Sequence, residues 1–535
     1  MSNRPSRYVS RDSMSIAQGW TIDRLTPPSR LFGANGIRAG HDGRIYVAQV
    51  GGSQVSAVDP DDGTVETISP MGGGIVSPDD LAIDDDGTIY CTEFTEGRIS
   101  MLRPDGTTKV VAGDLPAANP ITLYQGRLIA GECRPGGRIM ELDRNGGAPR
   151  IIADNLPLPN AFEVGPDGKL YFPLVGAEEI WRVDLTGGEP EVVARGLARP
   201  DSAKFDARGR IVSTQMGNGQ VLRIDPRSGA KELIAQLPPG LDNCTFLGER
   251  LFVSHLDGSI FEVTSGGGVR GVLPQGLIWP LGLALGPDGS LLVVDGLMTY
   301  LLRPGGNLEV IGSFAIPGYP GFVRGAAADT SGAWFVTTGM GHVARWWPGD
   351  EAAEVLSAGH DALMGCAAGP DGGCVVAESG AGRVLLVGSG ETIELARGLD
   401  HPVDVALGGD GAVFVSEAGA GRVSRLVAGK TETLIDGLAR PEGLTVSGGR
   451  IFVLDVERKE LVSSDLSGGD RRTLAEHLPV GSPPGVPLQF FGVLGALPGP
   501  ILRFAGLAAG SDGTIFISAD AEGSVLALRP EDSRD

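Results

Sequence analysis

Leu-Pro-Asn-Ala-Phe-Glu-Val-Gly-Pro-Asp-Gly-Lys-Leu-Tyr-Phe, residues 158–172, and Ala-Arg-Pro-Asp-Ser-Ala-Lys-Phe-Asp-Ala-Arg-Gly-Arg-Ile-Val, residues 198–212, are one phrase written twice. Each copy runs through Pro, a polar residue (Asn160 or Asp201), a short strand, a Gly-bearing turn and a second strand. The polar residues are 201 − 160 = 41 positions apart. A self-similar period of about 20–50 residues is the mark of solenoids, propellers and arrays.

From residue 33 the phrase recurs along the whole chain. Its first turn reads Asp42-Gly43, Asp86-Gly87, Gln125-Gly126, Asp167-Gly168, Arg208-Gly209 and Gly248-Glu249. It continues as Asp288-Gly289, Ser331-Gly332, Asp371-Gly372, Asp410-Gly411, Gly448-Gly449 and Asp512-Gly513. Asp-Gly between short apolar runs is a hairpin signal, because Gly accepts positive φ. A third strand follows each hairpin, as at 97–102, and a fourth, as at 108–112. Four antiparallel strands per repeat describe a β-propeller blade. Twelve blades exceed the about 4–8 of one ring. The spacing therefore predicts an all-β chain of two tandem six-bladed β-propellers, 33–277 and 278–535, with a seven-plus-five split as the alternative. Residues 1–32 are an N-terminal extension, in which Gly19–Leu25 reads as the fourth strand closing the final blade. The apolar, Pro-interrupted stretch 479–500 is an insertion, expected to pack between domains or to cover a substrate.

Aligned by distance to the turn, the position of Asn160 is Asn35, Asp79, Asn119, Asn160, Asp201 and Asp242 in the first six repeats. In the last six it is Leu281, Arg324, Met364, Val403, Glu442 and Ala505. The innermost strand of every blade begins at the central channel, so the first half brings six oxygen-bearing side chains to one small volume. Crowded carboxylates raise one another's pKa unless a cation neutralises them. Asp and Asn together form a hard-oxygen set suited to Ca²⁺ or Mg²⁺. The plainer alternative is that each Asn or Asp bonds nearby backbone, but six such residues in one half and one carboxylate in the other argue for a site. A second register, at the end of the second strand, gives Gln49, Glu93, Glu132, Gln215, His255, Asp295, Glu378, Glu417 and Asp455. It occurs in both halves and reads as structural, with Glu132 and His255 kept as candidates because their neighbours lie in the polar half.

A net charge of −22 argues against nucleic acid and anionic membranes as partners. The five cysteines (91, 133, 244, 366 and 374) lack metal-ligand spacing and read as buried small residues in a reducing compartment. No leader-like apolar segment follows the first residues, so a cytoplasmic location is expected.

The repeats resemble those of NHL-type and gluconolactonase-type propellers. Pro159-Asn160…Gly165-Pro166-Asp167-Gly168 is similar to the Asn-bearing metal motif of the senescence marker protein/gluconolactonase (regucalcin) family, and Arg199-Pro200-Asp201 to its Asp-bearing motif. That resemblance implies Asn160 as a ligand, and Asp201 as ligand and base, for a divalent cation in lactone hydrolysis. The family's early Gly-Glu-Gly-Pro has no counterpart; Asn35-Gly36 takes that slot in the first blade and Asp79 the equivalent place in the second. Streptogramin lyases share a similar rhythm.

Three functions are therefore carried forward. The first is a lactonase-like hydrolase of a small-molecule cyclic ester, with metal ligands Asp79, Asn160 and Asp201, catalytic Asp201, Asp242 and His255, and substrate contacts from Asn35, Asn119 and Glu132. The second is a metal-dependent lyase with His255 or Glu132 as base. The third is a non-catalytic binding scaffold.

Overall fold

The structure, a computed structural model, describes residues 7, 13–306, 308–313, 316, 318–388, 390–427, 429–481 and 504–531. Residues 482–500 of the apolar insertion lie outside them. Among the described residues regular structure is strand apart from two short 3₁₀ turns, and no helix is long and apolar enough to cross a membrane.

The unit of structure is a four-stranded antiparallel sheet in sequence order, such as Ala118–Tyr124, Arg127–Glu132, Pro135–Leu142 and Arg150–Pro157. Turn chemistry explains the first hairpin of each. In Asp167-Gly168 the carboxylate accepts the N–H of Lys169 at 3.2 Å while Gly168 takes φ +77°. Asp42 and Gly43 repeat the arrangement, the carboxylate accepting the N–H of Arg44 at 3.1 Å. First strands are buried and fourth strands exposed. Pro78–Ile83 is almost wholly enclosed, whereas Thr108–Ala112 faces water along half its length.

The chain divides into two compact units. One contains Arg30–Gly276 and holds six such sheets. Its first strands (Ile37–Ala39, Pro78–Ile83, Ala118–Tyr124, Glu163–Val164, Lys204–Phe205 and Leu241–Leu247) are the inner ones, and the last contacts the first, which closes the ring. The other contains the described residues 13–29 and those from Leu277 onward. It also holds six sheets, with Leu507–Ala509 closing against Pro280–Leu285. In its last sheet the outer strand is Trp20–Arg24, paired antiparallel with Ser524–Pro530. Ser15–Ile16 adds a fifth strand to the sheet before it, against Arg472–Glu476, a pairing that the sequence pattern did not suggest.

Packing between neighbouring sheets forms the core. Ala82, Tyr90, Ile99 and Met101 of the second sheet meet Ile121, Leu128, Ala130 and Met140 of the third. Each large apolar side chain so enclosed contributes about 1.5–3 kcal/mol. Hydroxyl groups add a recurring link near the channel. Ser254 donates to the carbonyl of Asn35 at 2.7 Å and Ser416 to that of Glu442 at 2.6 Å, while Thr214, Thr337 and Ser518 donate to Asp242, Met364 and Leu281. Every acceptor is a residue of the ring defined by sequence alignment.

Candidate functional site

In the first unit the residue two places before each ring position has positive φ: Gly33 (82°), Ser77 (45°), Ala117 (56°), Leu158 (56°), Arg199 (56°) and Gly240 (108°). Four of these are not glycine. A left-handed conformation costs an L-residue roughly 1–2 kcal/mol, and such strain persists where surrounding structure over-determines it. The reversal comes two residues before each of Asn35, Asp79, Asn119, Asn160, Asp201 and Asp242.

Asn160 and Asp201 touch. The Asn160 Nδ2 group donates to Asp201 Oδ1 at 2.6 Å, and Asn160 Oδ1 accepts the N–H of Ala161 at 2.8 Å. Both side chains are buried, at 6% and 1% exposure. Burial and the Asp80 charge push the Asp201 carboxyl up to about 7, against the opposing pull of Lys204 and Arg199. Asp79 is pushed well above the carboxylate range by burial and then by the charges of Asp201 and Asp80. Asp242 is pushed up by burial, then by Asp201, Asp79 and Asp80. The three ring carboxylates thus share one field. Asp79 and Asp242 accept no side-chain hydrogen bond from any described residue.

Cys133 belongs to the same cluster. Its thiol is pushed up by burial and then by Asp79, Asp201 and Asp242, with the Asn119 side chain pulling the other way. Of the five cysteines it alone is not fully buried, which corrects the reading of all five as enclosed small residues.

One residue further along, Asp80 and Asn243 form a lower polar tier. Asp80 accepts the N–H groups of Leu81 at 2.8 Å and Ile121 at 3.2 Å, and Asn243 Nδ2 reaches it at 3.3 Å. A Cβ on Gly36 would meet Asp80 Oδ1 at 2.6 Å, so Gly36 makes room for that contact. Asp80 and Asn243 stand one position past the ring residues of their repeats, outside the register that defines the ring.

Three expected site residues are engaged elsewhere. Asn35 Oδ1 accepts the N–H of Val50 at 3.2 Å, the backbone-bonding role. Glu132 is wholly buried and takes Arg134 at 2.9 Å together with Arg138. His255, 1% exposed, bonds the Pro239 carbonyl at 2.8 Å and Asp257 at 2.8 Å. At the same register Gln49, Glu93, Gln215, Asp295, Glu378, Glu417 and Asp455 accept backbone N–H groups of the segment leading into their own sheet, whereas Glu132 binds two arginines and His255 the Pro239 carbonyl. Residues at this place brace the sheet, and being in the polar half did not change their job.

The donor set of the ring suits a hard divalent cation. It offers three carboxylates, two of them unbonded, beside Asn160 and Asn119, and a cation would offset the burial and the neighbouring negative charges that raise these acids. Among the described residues no three His, Cys, Asp or Glu side chains are gathered closely enough to hold a metal by themselves, so amide oxygens would have to complete the set. The second unit's channel differs. A cavity of about 250 Å³ there is lined mainly by Gly and Ala, with Asp404 its one charged residue.

The family model described as the SMP-30/Gluconolactonase/LRE-like region matches residues 121–256, a stretch containing Asn160, Asp201 and Asp242 but neither Asn35 nor Asp79. No curated protein sequence matches the chain. Among solved structures, a streptogramin B lyase is similar at 18% identity and a TM-score of 0.39, over 52% of this chain and 95% of that one. Virginiamycin B lyase from Staphylococcus aureus is similar at 17% identity and 0.38, over 52% and 96%. A gluconolactonase from Xanthomonas campestris is similar at 17% identity and 0.37, over 45% and 88%.

Proposed function

We propose that the N-terminal propeller, 33–277, is a divalent-cation-dependent hydrolase of cyclic esters, lactonase-like, working at the mouth of its central channel. The observation that carries this is the 2.6 Å contact between Asn160 and Asp201, inside the stretch similar to the gluconolactonase region and surrounded by two further unbonded acids. Asp79, Asn160 and Asp201 would hold the cation, Ca²⁺ or Mg²⁺, which when bound polarises an ester carbonyl and acidifies water.

The chain's own groups supply the rest. Asp242, with no hydrogen-bond donor of its own, accepts the proton of the attacking water. Asn119, beside the Cys133 thiol, orients the ester.

An elimination with His255 or Glu132 as base is disfavoured, since both are enclosed and fully engaged. The test is Asp201→Asn, assayed for calcium binding by titration calorimetry and for turnover of a panel of aliphatic and sugar lactones. Loss of both supports the reading. A variant that keeps both removes it, and products lacking an added water would turn the assignment to a lyase.

A further inference from the structure

Three positions beyond the ring, the inner strands of the first unit carry Arg38, Ala82, Thr122, Glu163, Lys204 and Thr245. The same layer of the second unit reads Ala284, Ala327, Ala367, Ala406, Thr445 and Ala508. Charge occurs only beneath the polar ring. Within that layer Lys204 is unusual: at 2% exposure it is the one lysine buried among the described residues. Its ammonium makes no ion pair with any described residue and one hydrogen bond, Nζ to the Phe162 carbonyl at 3.1 Å. Arg38, Asp80, Glu163, Cys244 and Asp201 are the charged and titratable groups facing it.

Enclosing an ammonium costs several kcal/mol unless its partners compensate, and a methionine would fill the same volume without that cost. The position of the hydrogen bond explains the choice. Lys204 opens the inner strand that the segment of Asp201 leads into, and Phe162 ends the segment by which Asn160 leads into the inner strand Glu163–Val164. Between these strands run three rungs: Asn160 Nδ2 to Asp201 Oδ1 at 2.6 Å, the N–H of Ala203 to the Ala161 carbonyl at 2.9 Å, and Lys204 to Phe162 at 3.1 Å. The two strands are short here, since Glu163–Val164 and Lys204–Phe205 have two residues each and pair with their own sheets rather than with one another. Without the third rung the Asn160–Asp201 contact hangs on one backbone bond.

We infer that Lys204 is a positioning residue: its buried ammonium ties the inner strand of Asn160 to that of Asp201 and sets the spacing of the pair. The inference rests on the proposed function for its catalytic consequence, but not for its structural one. The variants are Lys204→Met, which keeps the stem and removes the donor, and Lys204→Arg, which restores a cationic donor.

In crystal structures of the full chain, Lys204→Met should part Asn160 from Asp201 beyond hydrogen-bond distance, and Lys204→Arg should keep them together. Calcium affinity should fall on the order of 10–100-fold in Lys204→Met, as for other residues that orient a ligand from behind, and recover in Lys204→Arg. A mere packing defect would lower the melting temperature and leave distance and affinity unchanged. An intact 2.6 Å contact in Lys204→Met overturns the inference. If the wild type binds no calcium and opens no lactone, the functional reading fails, while the crystallographic distance still decides the role of Lys204. Should Lys204→Met not fold, Lys204→Gln, whose amide is too short to reach Phe162, takes the same measurement.

Discussion

Asn160 donates an N–H to Asp201 across the gap between the fourth and fifth inner strands of the first unit, at 2.6 Å. An amide at this place lets two polar groups touch without adding a second charge. Asn160→Asp would put two carboxylates in contact, and like charges so close cannot both ionise. The metal-free variant should melt several degrees below the wild type. Calcium should restore more stability to it than to the wild type, because the cation then relieves a larger repulsion. Differential scanning calorimetry with chelator and with calcium checks this; a variant indifferent to calcium refutes it.

The pH dependence has a definite sign. Asp201 has its pKa raised from 3.8 to about 7 in the folded protein. The folded state therefore keeps a proton that the unfolded chain releases, and the resulting stability is complete below pH 4 and lost as pH rises through 7. Asp201→Asn removes this titration and lowers the pull on Asp79 and Asp242, so the stability of the wild type minus that of the variant should decline between pH 4 and 8 in chelator. Asp404 of the second unit, pushed up to about 7 by burial, behaves in the same direction. Its two oxygens accept the N–H groups of Val405 and Leu444. Calcium should therefore reverse the loss in the first unit only.

Glu132 and His255 separate bracing from chemistry. Glu132→Ala leaves Arg134 and Arg138, each about one-third exposed, without their buried partner, and should cost about 1–3 kcal/mol. His255→Ala removes the link between the Pro239 carbonyl and Asp257 and should cost a similar amount. Lactone turnover per folded molecule should be unchanged in both. A hundredfold loss of kcat with full stability would return either residue to the catalytic set.

Asp-Gly turns and strand spacing depend on local chemistry, so the four-stranded sheets were readable from pairs such as Asp167-Gly168. The ring positions were readable too, because one residue per repeat falls at the same depth of the channel. Which way a side chain turns was not readable. Asn35 and Asn160 hold the same aligned place, yet one bonds Val50 and the other Asp201. Asp80 lay hidden behind Asp79, and Cys133 looked like any other small apolar residue. Lys204 stood in plain view within the quoted phrase, but its burial depends on Phe162 in the neighbouring sheet.

Cys133 offers a direct probe of the cluster. It is the least enclosed of the five thiols, and burial with three carboxylates nearby holds it protonated well above the usual thiol range. A small methanethiosulfonate should modify one cysteine per native chain, slowly at pH 8 and about tenfold faster per unit of pH above that. Mass spectrometry of digests should place the label on Cys133. The labelled protein should no longer bind calcium, since the added group crowds Asn119 and the ring acids. Modification of Cys133 with calcium binding intact would separate the thiol from the site.

Ala117 and Ala118 make the most stringent test of the strained approach to the ring. Ala118 is extended and fully buried, so Ala118→Gly loses a buried methyl and frees the unfolded chain, costing about 1–2 kcal/mol. Ala117→Gly loses the same groups, but at φ 56° it also removes a left-handed penalty of roughly 1–2 kcal/mol. The two effects oppose, and the change in stability should lie near zero. Ala117→Val should be the worst of the three, because a β-branched side chain tolerates positive φ least. Chemical denaturation of the three variants ranks them; equal losses for the two glycine substitutions would show that the reversal before Asn119 stores no strain.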